Sequence, residues 1–244
     1  MTNKYIYFVA NWKMFGSLRT LNSLNKVISF VKKFKKNKFK IIYCPPATLL
    51  SPLTKKFEST IIQVGAQNCH ESESFGANTG QINSSMLKGA GAKYVILGHS
   101  ENRLTGENDS LINLKIKSSV KSGLRVIFCI GESLNQKKKK ITKKILTRQI
   151  TNGLKKIKNK KNIIIAYEPT WAIGSGLIPK ESEIFEIVNF IKKKIKGINV
   201  LYGGSVNAKN INALKKIDNV DGFLVGGASQ NSKNFIDIIK KTFN

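Results

Sequence analysis

The stretch Asn162-Ile163-Ile164-Ile165-Ala166-Tyr167-Glu168-Pro169 sets a short apolar, β-branched run directly against a glutamate and a proline. Its apolar residues are continuous, with little of the alternation that a half-exposed strand shows. That is the pattern of a strand buried on both faces, as in a parallel sheet. Seven further runs of the same kind occur at residues 5–10, 39–44, 61–66, 93–98, 124–130, 198–202 and 222–225. Between them lie segments of helical period. Leu21, Leu24, Ile28, Val31 and Phe34 fall on one helix face with lysines opposite; Ile184, Ile187, Val188 and Ile191 repeat the pattern, and Phe235, Ile238 and Ile239 carry it near the end. Strand–helix alternation repeated eight times implies parallel strands with right-handed crossovers. An open doubly wound sheet is the rival. Eight units in 244 residues without a long linker favour a closed barrel, as one domain over residues 1–244.

A chain of this length buries roughly three quarters of its unfolded surface, so a core forms without disulfides or metal. The three cysteines, Cys44, Cys69 and Cys129, form no CxxC pair and read as reduced thiols. With only His70 and His99, a histidine-rich metal site is excluded. Residues 1–4 lead straight into a short apolar run, unlike a signal peptide, and no run of about 18 apolar residues exists to span a membrane. A cytoplasmic location is expected. The net charge is +28, from 42 Lys and Arg against 14 Asp and Glu. Such a balance raises nucleic-acid binding. Nearly all the bases are lysines, however, in runs such as Lys32-Lys33, Lys35-Lys36, 137–140, 192–194 and Lys240-Lys241, and arginine, the usual reader of bases, is scarce. The runs read as solvated helix faces, diffusely placed. Weak, salt-sensitive attraction to polyanions is expected, and no specific nucleic acid.

In such a barrel, active sites form on the loops after the strands' C-terminal ends. Just past successive runs stand Asn11-Trp12-Lys13, Gln67-Asn68, His99-Ser100-Glu101, Gly131-Glu132, Glu168-Pro169, Gly203-Gly204-Ser205 and Gly226-Gly227. The last two loops each join a strand to a polar segment able to start a helix. Glycine lets backbone N–H groups approach an anion, and a helix start adds partial positive charge, so these loops suit a phosphate. His99 and Glu168 are the acid–base candidates. Lys13, outside any lysine run, places fixed charge at the barrel mouth. The stretch Trp171-Ala172-Ile173-Gly174-Ser175-Gly176, apolar and then glycine-rich, fits a lid that excludes water.

Asn11-Trp12-Lys13, Gly65-Ala66-Gln67-Asn68, residues 94–101, Cys129-Ile130-Gly131-Glu132, Ala166-Tyr167-Glu168-Pro169, the lid stretch and Tyr202-Gly203-Gly204-Ser205-Val206 together resemble the triosephosphate isomerase family, in order and over nearly the whole chain. The resemblance implies an α/β protein, a single (β/α)8 TIM barrel of eight parallel strands surrounded by helices. It implies an aldose–ketose isomerase of glycolysis and gluconeogenesis that interconverts dihydroxyacetone phosphate and D-glyceraldehyde 3-phosphate through an enediolate, with no cofactor and no metal. By that resemblance Glu168 is the base, His99 the neutral electrophile, Lys13 the balancing charge, and Asn11 orients substrate. Gly174, Ser205, Gly226 and Gly227 bind the phosphate, and Glu101 and Cys129 stand behind the catalytic groups. The loop 67–82, with Cys69, His70, Phe75 and Thr79, implies a homodimer.

Some positions depart from the family pattern. Asn102 stands where arginine is usual and Gln81 where glutamate is usual, which suggests that one intersubunit ion pair has lost both charges together. Thr170 and Leu177 replace the common valine and lysine of the lid. The lysine-rich segment 136–144 is expected to be a trimmed surface loop.

Overall fold

The computed structural model describes residues 5–34 and 38–244. The pair Lys35-Lys36 and residues 1–4 therefore lie outside the described residues. Eight strands occur: β1 (Ile6–Asn11), β2 (Phe39–Cys44), β3 (Gln63–Ala66), β4 (Tyr94–Leu97), β5 (Arg125–Ile130), β6 (Ile163–Tyr167), β7 (Asn199–Tyr202) and β8 (Gly222–Val225). All neighbours are parallel, and β1 pairs with both β2 and β8, so the sheet closes on itself in sequence order. The open-sheet alternative is thereby removed.

Closure explains why the strands read as unbroken apolar runs. Alternate residues point inward and outward. Tyr7, Val9, Ile42, Cys44, Tyr94, Ile96, Ile127, Cys129, Ile164, Ala166, Leu201 and Leu224 pack together as one cluster. Their strand neighbours, among them Phe8, Ala10, Ile41, Tyr43, Val126, Ile163, Ile165 and Val200, belong to the larger cluster shared with the helices. Past the first one or two residues of each strand, neither side meets water. Packing inside the barrel is tight enough to select glycine at Gly65, where a Cβ would lie 2.7 Å from Cys44 Sγ and 3.1 Å from Tyr94 Cβ.

The helices are α1 (Asn25–Lys33), α2 (Leu50–Phe57), α3 (Ser84–Gly89), α4 (Ser100–Leu104), α5 (Asp109–Lys121), α6 (Leu134–Lys138), α7 (Thr142–Gly153), α8 (Glu181–Lys194), α9 (Ile211–Leu214) and α10 (Ser232–Phe243). The first expected helix is broken in two: a 3-10 turn, Arg19–Leu24, precedes α1. Both parts still bury their apolar side, with Leu21, Leu24 and Val27 in the core and Ile28, Val31 and Phe34 packed against it. Ile184, Ile187, Val188 and Ile191 of α8 are all buried, as their spacing predicts.

The segment 136–144 is not a loop. It contains the end of α6 and the start of α7, joined through residues 139–141. Ser133 explains the helix: its hydroxyl accepts the Gln136 N–H while the Gln136 side chain accepts the Ser133 N–H, a reciprocal cap. Lys137 is half-buried, 3.0 Å from Glu183 and with its Nζ 4.0 Å from the centre of the Trp171 ring.

Candidate active site

Several strands deliver a polar residue to one rim. Asn11 ends β1 and is 5% exposed, and its Oδ1 accepts the Lys13 N–H at 3.0 Å. That bond helps to hold Lys13 in the left-handed region, at φ +55°. Gln67 completes the restraint, donating from Nε2 to the carbonyls of Lys13 and Cys44, both at 2.8 Å. A lysine held in such a conformation is a strained feature that the surroundings over-determine. Lys13 Nζ lies 2.6 Å from Glu101 Oε1.

His99 follows β4 and caps α4. Its Nδ1 accepts the Glu101 N–H at 3.2 Å, so the ring proton resides on Nε2. That nitrogen stands 3.5 Å from Glu168 Oε1. Glu168, directly after β6, is only 3% exposed, and its Oε2 has no hydrogen-bond partner among the described residues. Burial pushes its carboxyl above the usual range; nearby His99, a hydrogen bond from the Cys129 thiol, and Lys13 pull the other way. The Cys129 thiol is in turn held well above its ordinary range, first by burial and then by Glu168.

Two glycines make the seat for Glu168. A Cβ on Gly131 would fall 1.8 Å from the Glu168 carbonyl oxygen, and one on Gly203 would fall 2.7 Å from Glu168 Cγ. The glycines of the loop after β7 were expected to serve an anion. Both line the cavity, and in addition Gly203 clears room for Glu168, and Gly204 for the Tyr202 hydroxyl, 2.3 Å from where its Cβ would stand. No signal in the sequence marks the use of Gly203, because its clash is with a residue distant along the chain.

The lid segment leaves β6 through a 3-10 turn, Thr170–Ala172. Glu132 anchors it: one carboxylate oxygen accepts the Trp171 indole N–H at 3.0 Å, the Tyr167 hydroxyl is 3.3 Å from both, and the Glu132 carbonyl accepts the Thr170 N–H at 3.0 Å. Burial raises the Glu132 carboxyl, while bonds from Trp171 and others oppose the rise. Thr170, the departure from the family pattern, adds its own hydroxyl to the Glu132 carbonyl at 3.1 Å. Ser205 donates through both hydroxyl and N–H to the Ala172 carbonyl, at 2.8 and 3.1 Å. Beyond it Gly174 and Gly176 take positive φ, and Leu177 is exposed. The anchoring role of Glu132 was not legible in the sequence, which marks it only as polar and placed after a strand.

One cavity of about 240 Å³ collects Asn11, Lys13, His99, Glu168, Gly174, Ser205, Gly226 and Gly227. Ile173 of the lid stretch lines it too, as do Leu224 and Asn207, which the sequence had not singled out as site residues. Glu101 and Cys129 stand outside it: Glu101 is bonded to Lys13, and Cys129 is behind Glu168 within the barrel. The 3-10 turn Gly227–Gln230 begins at the cavity wall.

A closed parallel barrel that brings a buried carboxylate, an imidazole and a lysine together at its C-terminal rim, beside glycine-rich loops after the last two strands, is the frame of a sugar-phosphate isomerase. Residues 6–242 match the family model for triosephosphate isomerase. Triosephosphate isomerase of Thermodesulfovibrio yellowstonii is 42% identical over 98% of this chain and 100% of its own length. That of Bartonella bacilliformis is 37% identical, covering 93% of each. The crystal structure of triosephosphate isomerase from Bartonella henselae superposes with a TM-score of 0.88 at 34% identity, covering 98% of this chain and 99% of that one. The chain belongs to the triosephosphate isomerase family and is an enzyme of that family's reaction, the isomerisation of triose phosphates.

Proposed function

We propose that the chain, acting as a single domain over residues 1–244, interconverts dihydroxyacetone phosphate and D-glyceraldehyde 3-phosphate through an enediolate at this cavity. One observation carries the reading: the buried Glu168 carboxylate and His99 Nε2 lie 3.5 Å apart on the wall that also holds Lys13 and Asn11. Glu168 takes the proton from the carbon beside the carbonyl and returns it to the neighbouring carbon. His99 donates from Nε2 to the oxygen that gains charge; the family is a standing example of this pairing of a glutamate base with a neutral histidine. Lys13 balances the enediolate, and Asn11 orients it. Gly174, Ser205, Gly226 and Gly227 hold the phosphate, and Glu101 and Cys129 position Lys13, His99 and Glu168. A base whose pKa is raised by burial is better matched to a weakly acidic C–H proton.

The decisive experiment measures conversion of glyceraldehyde 3-phosphate by the protein and by Glu168→Gln. Turnover by the parent and a loss of at least about 10²-fold in the variant is the expected result for a general base. Turnover unaffected by the substitution would remove Glu168 as the base.

The enzyme works as a homodimer in this reading. Phe75 of the 67–82 loop is 80% exposed, Leu104 86% and Met14 98%, apolar side chains that a partner subunit would cover. Gln81 is exposed and Asn102 half-buried, and they form the uncharged replacement for an intersubunit pair. A cytoplasmic location is supported by three free, buried thiols. Among the described residues no helix is long and apolar enough to cross a membrane.

A further inference from the structure

Lysines occur at both ends of the barrel, and many stand at helix C-termini and in the connections that enter the strands. The helices run back against the strands, so helix C-termini and strand starts share the barrel face opposite the cavity. One dense group lies in the two neighbouring connections that enter β6 and β7, strands paired in register from Ile164 and Asn199. Residues 155–161 carry five exposed lysines, and Lys193, Lys194 and Lys196 add three more. No acidic residue occurs between Glu132 and Glu168, or between Glu186 and Asp218. Among the described residues none of these eight lysines makes an ion pair; the pairs formed by Lys137 and Lys143 with Glu183 and Glu186 lie at the other end of α8.

Compensation of helix dipoles accounts for Lys193 and Lys194 in the last turn of α8. It does not account for residues 155–161, which follow the end of α7 at Gly153. Clustering so many unpaired cations costs electrostatic energy that a polyanion would relieve. The apolar residues of the two connections, Ile157 and Ile195, are buried, and neither connection exposes a large apolar side chain. A membrane-seeking surface needs such anchors beside its charge. Lysine presents a point charge, where the fork of arginine reads base edges.

We infer that this face, centred on residues 155–161 and 193–196, binds the phosphate backbone of a nucleic acid without reading its sequence. The site lies across the barrel from the cavity, so occupancy leaves isomerisation untouched.

Fluorescence anisotropy with a labelled oligouridine of roughly 20 nucleotides tests this, titrated across salt. Two triple variants are compared: Lys158→Gln/Lys160→Gln/Lys161→Gln on the face, and Lys26→Gln/Lys138→Gln/Lys233→Gln near the opposite rim. Both remove three charges from exposed positions outside the cavity. Retained isomerase activity reports that each is folded. The expected result is binding at about 50 mM salt whose log–log salt slope shrinks by roughly 2 in the face variant, from about 0.7 per phosphate on a single strand, and is unchanged in the other. Equal weakening in both variants would overturn the site in favour of diffuse charge. Absence of binding by the parent, or tighter binding to phosphatidylserine vesicles than to the oligouridine at the same salt, would overturn nucleic acid as the occupant.

Discussion

At the scale of single residues, Glu168 is held where its charge is costly. Its folded-state pKa is raised by burial above its unfolded value. The folded state therefore binds the proton more tightly. The stability from this group is fully present below the unfolded pKa and is lost as pH rises through the folded one. Glu168→Gln mimics the protonated form, so it should melt higher than the parent at neutral pH, with the gap closing as pH falls below about 4.3. Calorimetry at both pH values checks this, and a gap that widens in acid would contradict the assigned shift. Gly203 offers a second test. A Cβ there would press on Cγ of Glu168, the proposed base, and misplacing a catalytic group by even an ångström costs about 10²-fold. Gly203→Ala should lower kcat by about that factor while KM changes far less, as read from steady-state kinetics.

At the scale of elements, the rim loops depend on side chains from their neighbours. Glu132, on the loop after β5, fixes the lid that follows β6 through Trp171 and Tyr167. Glu132→Leu would leave an indole N–H and a phenol without their partner, at a cost of about 1–3 kcal/mol for each unsatisfied group. A lower melting temperature together with a reduced kcat/KM is expected. If only stability falls, Glu132 serves the fold and not the lid. Strand interiors should be less tolerant. Ile164, fully buried in the inner cluster, should cost about 2–5 kcal/mol on replacement by alanine, measured by urea unfolding.

At the scale of the whole molecule, charge dominates. A net charge of +28 repels itself in the compact state. Salt screens such repulsion, with a Debye length of about 30 Å at 0.01 M falling to about 8 Å at 0.15 M. The melting temperature should accordingly rise as sodium chloride increases over that range; a fall would mean that the surface ion pairs outweigh the repulsion. The proposed dimer is also tested at this scale. Leu104→Glu would place a charge on the exposed apolar surface, and sedimentation should then show dissociation towards monomer.

The barrel itself was legible in the sequence for a physical reason. A strand buried on both faces must be apolar at nearly every position, and all eight runs found on that basis are strands, with boundaries shifted by at most two residues. The rim residues were legible because a parallel barrel puts every strand's C-terminal end on one side, so position along the chain decides position in space. Asn11, Lys13, His99, Glu168, Ser205 and Gly226 gather in one cavity for that reason. What the tertiary structure alone decided depends on contacts between segments far apart in sequence. The Cβ clashes that make Gly131 and Gly203 a seat for Glu168 are of this kind, as are the Glu132 anchor of the lid and the Gln67 bonds that help hold Lys13 at positive φ. So is the meeting of the lysines of 155–161 with those of 193–196 on one face, because only the antiparallel return of each helix brings these connections together. Local pattern determined the elements and their order; the steric and electrostatic fit between them, set only when the barrel closes, determined how the site is built.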